Sequence, residues 1–137
     1  LPEIGRVFQE VARVTRAGGL YVSQHKSPAS LQSSLEPGPR GSYELRHPVA
    51  GAQAGRALPP EPPSRLREHG TQEFVHSLSS LLGGICMAGF VIEDVCEPDH
   101  TEPQPAVGSF PHRASFLPPY LRILARKQAT APTLALA

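Results

Sequence analysis

The chain contains no tryptophan, one methionine, two cysteines, three tyrosines and five phenylalanines. So few large rings give little stacking surface for nucleic-acid bases. Charge adds no attraction either, because thirteen Lys and Arg oppose twelve Asp and Glu, a net charge of +1. A nucleic-acid partner is therefore not expected. No apolar run approaches the roughly 18 residues of a membrane span. Leu1 to Arg16 is charged throughout and lacks the uninterrupted apolar region of a signal peptide. The sequence does not open on Met, which suggests an incomplete or processed chain whose targeting segment could have been lost. Cys86 and Cys96 match neither a C-x-x-C metal site nor a redox motif. Two reduced, half-buried thiols are expected, with a disulfide or redox switch as the alternative. His69 and His76 are seven apart but lack a third ligand, so no metal site is predicted.

Proline and glycine, by contrast, are abundant: sixteen and twelve of 137 residues. They concentrate between residues 26 and 68, in Pro37-Gly38-Pro39, Arg40-Gly41-Ser42 and Pro59-Pro60-Glu61-Pro62-Pro63. This punctuation forbids a long helix or a central strand. Residues 26–68 are predicted to be an irregular lid or insertion, or else disordered, and the ordered core is smaller than the length suggests. One island, Tyr43 to Val49, has the character of an extended edge segment.

Regular patterns flank this region. Ile4, Val7, Phe8, Val11 and Val14 recur at helical spacing, predicting a helix over 3–17. Gly18-Gly19 ends it, and Leu20-Tyr21-Val22 opens a strand over 20–25. Thr71 is a plausible N-cap with Glu73 in the first turn, and Phe74, Leu78, Leu81, Leu82 and Ile85 form an apolar face, predicting a helix over 71–88. Gly83-Gly84 weakens it, with close packing as one cause, and Gly89 stops it. Strands follow at 90–96 and 120–126, joined by a loop from Pro98 to Pro119. In the last strand Leu121, Ile123 and Ala125 share one face. Residues 127–137 read as a disordered tail.

The phrase Glu10-Val11-Ala12-Arg13-Val14-Thr15-Arg16-Ala17-Gly18-Gly19 resembles the helix that leads into the fifth strand of a class I S-adenosylmethionine-dependent methyltransferase. Ala17 stands where that family usually has proline. Leu81-Leu82, Ala88-Gly89-Phe90 and Val91 to Val95 look like its last helix and sixth strand. The resemblance covers residues 1–126 apart from most of the irregular middle, and is to a methyltransferase type 11-like domain. Within it, Arg67 to Phe74, Pro111-His112-Arg113 and Pro118 to Ile123 look like phrases from one subgroup of such enzymes. It implies an α/β fold: a partial Rossmann-like sheet of strands five to seven with two helices, the N-terminal half being absent. The last strand should then lie between the other two, antiparallel to both, because its entry loop carries no crossover helix.

The same resemblance implies S-adenosylmethionine as cofactor of the intact enzyme. In the family it is held by a glycine-rich loop after strand one and an acid after strand two. Neither element is present, and Gly51 to Gly55 lacks the preceding strand that such a loop needs. No cofactor-binding residue is therefore assigned, and the missing half of the domain becomes the implied partner. The remaining residues would line the side of a small-molecule methyl acceptor, beyond the carboxyl ends of the parallel strands. Ser23, Gln24, His25 and Lys26 lie at that end of the first strand. His25 is the candidate general base, since imidazole titrates near pH 6.5; a loop histidine bonded to backbone or water is the alternative. Glu68, His69, Gln72 and Glu73 could orient a substrate from the lid, or simply cap a helix. His112 and Arg113 precede the last strand, where Arg113 could clamp an anionic group or lie on the surface. Two functions follow: a methyltransferase fragment contributing the acceptor-side wall, or a non-catalytic interaction module built on the half-fold. The expected compartment is the cytoplasm, or a plastid in a plastid-bearing source.

Overall fold

A computed structural model describes residues 2–51, 55–60 and 70–129. The described residues form four helices and three strands in the order α1 (Ile4–Val14), β1 (Leu20–Lys26), α2 (Pro28–Gln32), α3 (Gly84–Met87), β2 (Phe90–Cys96), α4 (Phe110–Phe116) and β3 (Tyr120–Lys127). A turn of π-helix, Ser79–Gly83, leads directly into α3.

The two glycines after α1 do different work. Gly18 has φ 73°, the left-handed region that favours glycine. Gly19 is there for space: a Cβ on it would lie 2.8 Å from both the Arg16 carbonyl oxygen and Thr15 Cγ2. The reversal they allow lets Gly18 N–H donate to the Lys127 carbonyl at 2.8 Å, and Lys127 N–H to that of Gly19 at 2.9 Å. The Lys127 ammonium also donates to the carbonyls of Ala12 and Thr15. It thereby satisfies orphan acceptors at the α1 C-terminus and places a positive charge at the negative end of the helix dipole. Lys127, predicted as the start of a frayed tail, is thus the last strand residue and a helix cap. The rest of that tail beyond Ala129 lies outside the described residues.

The sheet order is β1-β3-β2, and β3 runs antiparallel to both neighbours, as the sequence predicts. Leu121, Ile123 and Ala125 are 5%, 0% and 0% exposed, so the predicted inward face is the buried one. They join Phe8 and Ala12 of α1, Leu81 and Ile85 of the π–α3 helix, and Phe90 in the main core. Both helices therefore cover one face of the sheet. On the other face Leu20 and Val22 remain exposed. Among the described residues, β1 pairs only through β3, leaving its second edge open.

Three expectations need correction. The second helix begins at residue 78, not 71. Ser77, not Thr71, stands at the helix start, its Oγ accepting from Ser80 N–H at 3.0 Å. Residues 73–75 instead pair with 55–58 through Leu58 N–H to Glu73 O at 2.8 Å, Gly55 N–H to Val75 O at 2.7 Å and a bridge between Ala57 and Phe74. That pairing buries Val75 beside Leu31 and Leu58, and this burial outweighs a helical periodicity that Phe74 and Leu78 only imitate. Secondly, residues 98–119 are not all loop. Ser109 caps α4 by accepting from His112 N–H at 3.2 Å, with proline in the first turn. Thirdly, the described part of the irregular middle is built. It holds α2 and the second apolar cluster. The Tyr43–Val49 island is extended, but pairs with residues 32–34 rather than with the sheet: Leu45 bridges Ser33, and Ser34 N–H donates to Glu44 O at 2.8 Å.

Candidate functional site

β1 and β2 point the same way, so their carboxyl ends meet at one end of the sheet, beside the start of β3. Ser27 directly follows β1 and Glu97 directly follows β2. A cavity of about 280 Å³ opens between them, with Pro28, Ala29, Gln32, Val49, Ser77, Leu78, Ser79 and Leu121 in its walls. This is the end at which open α/β sheets bind ligands, and the volume is at the small end of the usual range of about 300–1,000 Å³.

The lining is mostly apolar with a few polar groups. Ser27 is only 4% exposed. Its main chain is used, N–H to Pro119 O at 2.9 Å and carbonyl to Leu31 N–H at 3.0 Å. Its hydroxyl makes no capping bond to α2, although it holds the N-cap position before Pro28. A buried hydroxyl left without a partner costs about 1–3 kcal/mol. Glu97 is exposed at the rim, and its carboxylate has no partner among the described residues. The Gln32 amide is held by the His47 carbonyl at 3.0 Å.

The predicted site residues divide into several groups. Tyr21, Ser23 and His25 face the core, opposite Ala125, Ile123 and Leu121. His25 Nε2 lies 3.1 Å from Ser23 Oγ, and its ring meets Phe8 edge-on at 6.0 Å. Burial, reinforced by the charge of His76, holds the imidazole below its ordinary pKa. His25 is thus neutral at pH 7, as a base must be. Gln24 points to the opposite face, where Arg122 donates to its Oε1 at 3.0 Å. Lys26 forms an ion pair with Glu73, which ties the end of β1 to the 73–75 segment. The strand-end and lid groups of the sequence analysis are therefore joined by this pair. Gln72 instead donates to Leu58 O at 2.9 Å. Glu68 and His69 lie outside the described residues.

His112 and Arg113 sit on α4, away from the cavity walls. His112 Nδ1 is 3.0 Å from the Tyr43 hydroxyl. Arg113 is 3% exposed, which corrects the surface alternative. Its guanidinium donates to Ser30 Oγ and Ser30 O at 2.7 Å each, to Ser34 O at 3.1 Å and to Ser33 O at 3.4 Å, and lies over the Tyr43 ring. Its geometry is that of an anchor that fastens α4 to the C-terminal turn of α2. None of the eight described candidates lines the cavity. Sequence reasoning missed Ser27 and Glu97. The Ser27-Pro28 pair is a helix-start signal that could have drawn attention to the first.

S-adenosylmethionine finds no cradle among the described residues. Gly55 bonds to Val75 and abuts the Pro2 carbonyl, where a Cβ would sit 2.7 Å from the oxygen. The carboxyl end of β1 carries Lys26, not an acid. The described His, Cys, Asp and Glu residues form no group of three that could hold a metal. Cys86 is partly buried, Cys96 is exposed, and both are free. No described helix is long and apolar enough to cross a membrane.

No protein-family profile matches the chain, and no curated protein matches it. Solved structures do. A protein assigned as an S-adenosylmethionine-dependent methyltransferase from Listeria monocytogenes is similar with a TM-score of 0.59 and 17% identity, over 93% of this chain and 56% of that one. An S-adenosylmethionine-dependent methyltransferase from Mesorhizobium loti is similar with a TM-score of 0.59 and 19% identity, over 91% of this chain and 56% of that one.

Proposed function

We propose that this chain, whose α/β fold is that of part of an S-adenosylmethionine-dependent methyltransferase, is the C-terminal half of such an enzyme. In this reading β1, β2 and β3 are strands five, six and seven of a class I, type 11-like domain. One observation carries the reading: a β1-β3-β2 sheet with a cavity at its carboxyl end, in a fold shared over nine-tenths of the chain with two such proteins. The chain spans 56% of their length, which supports assigning the cofactor to the part not represented here.

The chain then supplies the acceptor-side wall for a small molecule, with no role for nucleic acid. When bound, the cofactor supplies the electrophilic methyl group. The protein's task on this side is to orient the acceptor and exclude water, so that catalysis rests largely on proximity. A base role for His25 requires an acceptor that reaches the core side of β1, because its ring lies beside Ser23 and outside the cavity walls. Lys26 paired with Glu73 steadies the lobe above the strand end. The reaction belongs to a cytoplasmic enzyme, or a plastid one in a plastid-bearing source.

A second reading, a non-catalytic interaction module, is favoured by a specific surface. α1 carries an outward groove with Val7, Val11 and Val14 between Arg6, Glu10 and Arg13, and among the described residues β1 has a free edge. That groove suits another protein layer, whether the missing half of the domain or a separate partner. The coding sequence upstream of Leu1 decides. A strand followed by a glycine-rich loop and an acid is the expected finding. A start codon immediately before Leu1 would overturn the enzyme in favour of the module.

A further inference from the structure

Two polar groups in the cavity wall stand out because the fold leaves them unused. The Ser27 hydroxyl is buried, occupies a helix N-cap position and does not cap. The Glu97 carboxylate stands at the rim without an ion-pair or hydrogen-bond partner among the described residues. Between them lie the apolar side chains of Pro28, Val49, Leu78 and Leu121, with Gln32, Ser77 and Ser79 also in the wall; the Gln32 amide is bonded to His47 O and the Ser77 hydroxyl to Ser80 N–H. A ligand that matches this surface has an apolar body small enough for about 280 Å³ and carries a hydrogen-bond donor with positive charge at one end. An anion would meet the carboxylate with like charge, and the other cation-capable groups nearby are occupied. Lys26 is paired with Glu73, and Arg113 is spent on Ser30, Ser33 and Ser34.

We propose that the cavity between Ser27 and Glu97 is the acceptor site for a small amphipathic amine. Its apolar part packs on Val49 and Leu121. Its ammonium is a recognition group held by Glu97 and not the methylated atom, which must keep a free lone pair, and a second polar atom bonds the Ser27 hydroxyl. This rests on the acceptor-side reading above and gives it a substrate class. Holding the acceptor needs nothing from the cofactor half, so binding is measurable on the 137-residue chain itself.

The test uses fluorine NMR with three probes of equal shape: 4-fluorobenzylamine, 4-fluorobenzyl alcohol and 4-fluorobenzoate. The amine is expected to bind with saturation, the alcohol more weakly and the benzoate not at all. Glu97→Gln should weaken the amine by about tenfold, the scale of one charge-assisted hydrogen bond, and leave the alcohol unchanged. Ala29→Trp, on the exposed side of the α2 wall, should block both probes while the amide spectrum of the remaining residues stays in place. Equal binding of amine and benzoate, unchanged amine affinity in Glu97→Gln, or no amine binding at millimolar concentration would each overturn the proposal. Amine binding without an upstream cofactor half would leave the site standing while the enzyme reading fell. A cofactor half without amine binding would do the reverse.

Discussion

Gly83 and Gly84 are neighbours in one helix, yet alanine should act on them with opposite sign. Both have ordinary helical angles, φ −62° and −61°. Replacing either gains about 1 kcal/mol in helix propensity relative to glycine. At Gly83 a Cβ meets nothing within 4 Å, so the gain stands. At Gly84 it lies 2.9 Å from Phe8 Cδ2 and 3.0 Å from Cε2. Phe8 cannot retreat easily: it is fully buried, with the rings of Tyr21 and His25 at 6.4 and 6.0 Å. Overpacking of this kind costs about 1–3 kcal/mol. Gly84→Ala should therefore destabilise by up to about 2 kcal/mol net, and Gly83→Ala should stabilise by up to about 1 kcal/mol. Urea unfolding measures both, the midpoint moving by about half a molar per kcal/mol. Adding Phe8→Leu should relieve the clash, so that the Gly84→Ala/Phe8→Leu pair is less destabilised than the sum of its singles. Glycine variants that move the midpoint in the same direction, or additive double mutants, would refute close approach of α1 as the reason for Gly84.

Three further outcomes are expected. Arg113→Lys cannot reproduce the fork that holds Ser30, Ser33 and Ser34, so it should cost about 2 kcal/mol or more, with faster amide exchange in residues 30–34 as the local signature; unchanged exchange there would count against the anchor. His25 has its pKa lowered from 6.5 in the folded state, so the native protein binds fewer protons than the unfolded chain. Stability should be full above pH 6.5, fall as pH drops through the window below it, and lose part of that slope in His25→Asn; an NMR titration placing His25 above 6.5 would reverse the sign. Calorimetry of the 137-residue chain with S-adenosylmethionine should detect no low-micromolar binding, and saturable heats at that level would mean that a cofactor site exists on this half.

What the sequence disclosed was mostly local. Gly18-Gly19, Gly89 and the alternation of Leu121, Ile123 and Ala125 are signals read within a few residues, and each lies where the pattern predicts. The sheet order came from the family resemblance, not from periodicity. The segment around Val75 misled because its partner, residues 55–58, is distant in sequence, and pairing with it outweighed a plausible helical stripe. Arg113 could not be placed because its acceptors, three backbone carbonyls and the Ser30 hydroxyl, lie more than seventy positions away, which no local pattern encodes. The cavity was illegible for the same reason. Ser27, Val49, Ser77 and Glu97 come from four separate segments and meet only once the sheet and the lobe above it have formed.

The central strand of the described sheet is also the last of its three strands in chain order. Among the described residues, β1 and β2 are not paired with each other; each is paired to β3. During synthesis both must leave the ribosome and wait, apolar faces exposed, for residues 120–127. The loop closed by pairing Leu20 with Arg126 spans most of the chain, an entropic cost that falls before any reward from the main core is collected. The nascent protein is thus most vulnerable to aggregation late in its translation. A premature stop just upstream of Tyr120 would leave β1 and β2 without the strand that joins them, whereas a stop after Lys127 would spare every residue pair of the described sheet.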